Sequence, residues 1–82
     1  MSEADKMFEE LGYVIGYTQV GYLKYAKNED NIIIFNDDNK TFYKRGEDDY
    51  EQYYDNFTMQ ELKAINQKCK EMRVVRWIII VH

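Results

Sequence analysis

Two amphipathic helical signatures flanking a β-rich block predict an α+β domain. The expected order is an N-terminal helix, a three-stranded antiparallel meander and a C-terminal amphipathic helix, then a final strand or a docked tail. Residues 57–69 spell out one capped helix. Asn/Asp clusters at 28–31 and 36–39 separate three short β-forming runs. No proline, repeat or linker composition interrupts the 82 residues, so the chain reads as a single domain, 1–82.

Ser2 is placed to cap the first helix, with Asp5 in the third helical position. Ala4, Met7, Phe8 and Leu11 then share one face, and Gly12 follows where a left-handed C-cap residue is wanted. The spacing predicts a helix over residues 3–11. The stretch from Tyr13 to Gly21 is rich in β-formers but broken by glycines, and reads as a loop, a bulged strand, or both. Tyr22–Ala26, Ile32–Phe35 and Lys40–Lys44 are the three expected strands. The second is apolar on both faces and therefore central.

Residues 45–56 form an acidic loop ahead of the main helix. There Thr58 and Glu61 make a capping box, with Phe57 and Leu62 as the hydrophobic staple. Met59, Leu62, Ile65, Cys69 and Met72 recur at helical steps as a core stripe, leaving Lys63, Asn66, Gln67 and Lys70 outward. Beyond Arg73, the β-branched density of residues 74–82 argues for a strand or a docked apolar tail. Exposed, Trp77–Val81 would be an aggregation-prone edge, so it is expected to be buried within the monomer or in a homodimer.

Composition narrows the function classes. A hydrophobic fraction of 45% with 16% aromatics supports a real core. One cysteine cannot form an intramolecular disulfide, and the acidic start Met1–Lys6 is unlike a signal peptide. The longest apolar run is too short for a bilayer. These features read as an intracellular protein with no membrane association. Net charge is −4, but residues 1–61 carry −8 and residues 62–82 carry +4. Such a surface repels nucleic acid over most of its area.

The segments Lys6–Tyr13 (KMFEELGY), Ile32–Phe35 (IIIF), Lys40–Lys44 (KTFYK) and Thr58–Cys69 (TMQELKAINQKC) together resemble a family of small uncharacterised proteins encoded by phages and prophages of Gram-positive bacteria. The resemblance covers roughly residues 6–72. It implies a phage-borne accessory protein acting in the host bacterial cytoplasm, and it transfers no catalytic residue. Two features depart from the family pattern: the glycine-rich stretch Tyr17–Gly21, and the run from Met72 to Val75 into an apolar tail.

The first candidate site is the acidic loop, where Glu47, Asp48, Asp49, Glu51 and Asp55 interleave with Tyr50, Tyr53 and Tyr54. Carboxylates among rigid aromatics suit a basic cleft on a host or phage protein. The competing reading is a solvated loop whose tyrosines fold back on the sheet. The loop lacks the ligand spacing of an EF-hand, so no metal is expected. A second candidate is the face Lys63, Asn66, Gln67, Lys70 and Arg73, a nucleic-acid surface in outline or ordinary solvated helix. Of the eight tyrosines, Tyr13, Tyr17, Tyr22, Tyr25 and Tyr43 lie in the β-rich part, where packing is favoured over base stacking. Cys69 on the apolar stripe and a terminal His82 make neither a nucleophilic pair nor a zinc set. The expectation is a non-enzymatic binding protein without cofactors. Its sharper form is an acidic inhibitor occluding a nucleic-acid-binding host or defence protein. The alternatives are a small nucleic-acid-binding regulator and a structural homo-oligomeric phage protein.

Overall fold

The computed structural model describes residues 2–19, 21–47, 56–72 and 78–79. Its elements are α1 (Glu3–Glu10), β1 (Val14–Gln19), β2 (Tyr22–Asn28), β3 (Asn31–Asn36), β4 (Thr41–Arg45), α2 (Met59–Glu71) and β5 (Ile78–Ile79). Strands β1 to β4 form an antiparallel meander in chain order. β5 adds to β4 in parallel, with Thr41 opposite Ile78 and Phe42 opposite Ile79.

The expected α+β order stands, with one more strand in the meander. The glycine-broken stretch after Tyr13 is β1, pairing Val14 with Ala26, Ile15 with Tyr25 and Gly16 with Lys24. Gly16 does not break the strand, since it pairs in register with Lys24, and the space where its side chain would sit is open. The irregularity falls later, between Tyr17 and Gln19. Gly21 then makes the reversal at φ 88°, with the Asp38 carboxylate packed where a Cβ would stand.

Asparagine side chains close the other two turns. Asn28 Oδ1 accepts the Asp30 N–H at 2.9 Å, and Asn36 Oδ1 accepts the Asp38 N–H at 3.0 Å. The apolar middle strand β3 is central. Its Ile33 and Phe35 join Leu23, Tyr25 and Phe42 on the face that meets the helices. Ile32 and Ile34, on the other face, are buried as well.

Helix α1 starts as expected, with Ser2 Oγ accepting the Asp5 N–H at 3.0 Å. It buries Ala4 and Phe8, and ends one residue earlier than the spacing predicts, with Leu11 as its C-cap and Gly12 following at φ 93°. Phe8 stacks on Tyr25 at a 4.0 Å centroid distance and meets Tyr13 and Phe35 edge-on.

Helix α2 forms the full capping box, but its buried line runs through Glu61, Ala64 and Ile65. Leu62, Cys69 and Met72 pack against the core from its margin. Met59, expected in the core stripe, is 68% exposed. It is the first helical residue, and Phe57, before the cap, packs against the core instead. The two helices lie antiparallel: Glu71 at the end of α2 accepts the Ala4 N–H at the start of α1 at 2.7 Å.

Because Phe8 contacts three rings, Phe8→Ala is expected to cost about 3–5 kcal/mol of unfolding free energy. Urea denaturation followed by circular dichroism checks this.

Candidate functional site

Alternation on β4 places Phe42 and Lys44 on the same inward face, and the capping box places Glu61 on the side of α2 facing it. The result is a buried cluster at the corner of the fold. The Lys44 ammonium lies 3.1 Å from Glu61 Oε1 and 3.3 Å from Oε2, donates to the Asn56 carbonyl at 3.1 Å, and sits over the Phe57 ring. Tyr13 donates its hydroxyl to Glu61 Oε2, and the Thr58 N–H donates to Oε1. Burial pushes the Glu61 carboxyl up, but the donors Tyr13, Thr58 and Lys44 outweigh it and hold the group below its ordinary 4.5. Burial and the neighbouring carboxylate raise the Tyr13 phenol.

A second polar clasp sits at the other end of the helix pair. Tyr25 donates to Asp5 Oδ1, which also faces the Lys68 ammonium at 3.5 Å. Burial pushes the Asp5 carboxyl up, but Tyr25 and Lys68 bring it below its ordinary value. The first clasp pairs its charges in the interior, the second pairs them part-buried, and both hold elements together.

The acidic loop is the leading sequence candidate, and Asp48, Asp49, Tyr50, Glu51, Tyr53, Tyr54 and Asp55 lie outside the described residues. The chain on either side of them is well anchored. Glu47 is exposed, and its N–H donates to the Glu29 carbonyl at 2.7 Å. Arg45 donates to the carbonyls of Gly46 and Glu47, while Lys44 holds the Asn56 carbonyl. Successive residues of β4 therefore grip both ends of the acidic segment.

On α2, Lys63, Asn66 and Lys70 are exposed along one face, as the spacing predicts. Gln67 is half-buried and donates to Glu71, and Arg73 lies outside the described residues. Tyr13 and Tyr25 are core residues, and Tyr22 and Tyr43 are half-buried on the sheet face away from the helices. Cys69 is half-buried, and burial pushes its thiol up to about 11. Among the described residues, no three His, Cys, Asp or Glu are grouped to hold a metal, and no helix is long and apolar enough to cross a membrane.

The residue-by-residue reading missed a groove between α1 and β1. Asp5 and Glu9, one turn apart on α1, line a largely apolar cavity of about 220 Å³ together with Tyr13, Val14, Ile15 and Tyr25. Val14 is 71% exposed and Ile15 40%. The available signal was the uncharged run Val-Ile-Gly-Tyr-Thr-Gln set directly after a helix carrying Glu9 and Glu10. Compared with protein-family models, curated proteins and solved structures, the chain matches none.

Replacing Lys44 by Met strands a buried carboxylate and is expected to cost about 3–5 kcal/mol in a denaturation experiment. Adding Glu61→Leu should recover part of that loss. The depressed Glu61 value contributes stability above pH 4.5 that is lost as pH falls toward the folded-state value. Glu61→Gln should therefore flatten the acid limb of the stability curve below pH 4.5.

Proposed function

We propose that this domain is a phage- or prophage-encoded accessory protein that acts without catalysis, by binding a basic surface on a host or phage protein. The observation that carries the reading is the division of the carboxylates. Asp5, Glu61 and Glu71 are committed to internal partners, whereas Glu3, Glu9, Glu10 and Glu47 project outward. The sequence from Glu47 to Asp55 holds five carboxylates, and its gripped flanks favour presentation to a partner. In its sharper form, the segment occludes a cleft that otherwise receives nucleic acid, with Tyr50, Tyr53 and Tyr54 as aromatic anchors. The site of action is the host bacterial cytoplasm.

A nucleic-acid-binding role is the second reading, favoured only by the aligned exposure of Lys63, Asn66 and Lys70. A gel-shift screen against single- and double-stranded DNA and RNA at low salt separates the two. Retardation at low salt supports the regulator.

Affinity capture from infected host cells should retain a basic protein that elutes with rising salt. The combined reversal Asp48→Lys, Asp49→Lys and Glu51→Lys is expected to weaken that binding on the order of tenfold. Unchanged binding would remove the loop from the interface.

A further inference from the structure

We infer that the edge of β1 and the groove beneath α1 receive an extended polypeptide strand whose side chains alternate between basic and apolar. This rests on the reading of a basic protein partner and names how that partner is held. Among the described residues, β1 pairs only with β2, and none of them bonds to the N–H and C=O groups along its other edge. Natural edges are usually guarded by lysine, proline, inward charge or a bulge. Residues 14–19 contain no charge and no proline, and the one irregularity lies beyond Tyr17. The stretch Val14–Tyr17 is therefore open to strand addition.

The two faces of that edge differ, and the difference specifies the occupant. Ile15 shares the helix-side face with Tyr25, and there Asp5 and Glu9 of α1 line a largely apolar groove. Asp5 already faces Lys68, whereas the Glu9 carboxylate forms no ion pair among the described residues. An added strand directs alternate side chains to this face, where a lysine or arginine would meet Glu9 while its stem lies along Ile15. The opposite face offers Val14 and the open space at Gly16, which suit a β-branched or aromatic side chain. A second copy of the chain fits less well. Antiparallel pairing of two β1 edges places both α1 helices on the same side of the joined sheet, bringing Glu9 and Glu10 of each toward the other.

The test is NMR titration of the ¹⁵N-labelled full chain with a blocked hexapeptide alternating arginine and valine. A peptide alternating glutamate and valine is the control. The inference expects saturable shifts at the amides of Val14–Tyr17 and Glu9 with the arginine peptide, and binding about fivefold weaker or worse with the glutamate peptide. Glu9→Lys, at an exposed position, should weaken the arginine peptide about fivefold while circular dichroism stays unchanged. Glu9→Gln should fall between. Equal binding of both peptides, or no saturation at millimolar peptide, overturns the inference. So do shifts at Val14–Tyr17 that depend on protein concentration alone, because the occupant is then a second copy. Shifts confined to residues 47–55 overturn the edge site but leave the basic partner standing. If no amide responds to the arginine peptide, the edge site falls, and the basic partner stands or falls by the affinity capture.

Discussion

A carboxylate and an ammonium taken out of water at the corner of the sheet set the terms for everything packed around them. Glu61 has two oxygens, and each is occupied: one by the Thr58 N–H and Lys44, the other by Tyr13 and Lys44. The pair is costly to bury, so it is tolerated only where the geometry satisfies it. That requirement ties the start of α2 to β4 and to the corner between α1 and β1. The apolar layer of Phe8, Tyr25, Ile33, Phe35 and Ile65 is then bounded at one end by this clasp. At the other end it is bounded by Asp5, Tyr25 and Lys68.

The clasps also sort the charges. The positive segment after residue 61 contributes Lys68 to an internal pair, while Lys63 and Lys70 stay outside on α2. The negative segment contributes Asp5 and Glu61 inward and keeps Glu3, Glu9, Glu10 and Glu47 outward. What remains exposed beside α1 and β1 is Glu3, Glu9 and Glu10 with Lys6 and Lys27 among them, whereas outer α2 presents Lys63 and Lys70. The ionic contacts that tie the helices to the sheet are therefore structural, and the charges left at the surface are individually weak and salt-sensitive.

The same residue type reads differently according to what surrounds it. Glu61 was legible as a capping residue because Thr58 stands three positions before it, a relation contained within one turn of helix. Its partnership with Lys44 was not, because it joins residues seventeen positions apart in different elements. The alternation of Phe42 and Lys44 gave a partial signal, since both must point to the same face. The groove at β1 was missed for a related reason: a glycine-broken stretch has no periodicity strong enough to declare a strand, and pairing with β2 supplies the order. Met59 erred in the other direction. It fits the helical period, but one residue beyond the cap α2 has not yet reached the sheet.

By itself the sequence determined both helices with their caps, the two Asn/Asp turns, the central position of Ile32–Phe35 and the imbalance of charge along the chain. Each depends on neighbours within a few residues or on composition. Tertiary structure alone decided that Tyr13–Gly21 contributes a fourth antiparallel strand, that Ile78–Ile79 joins β4 in parallel, and which carboxylates are consumed inside. Those outcomes depend on hydrogen bonds and desolvation between residues far apart in the chain, and such pairings leave little trace in local pattern.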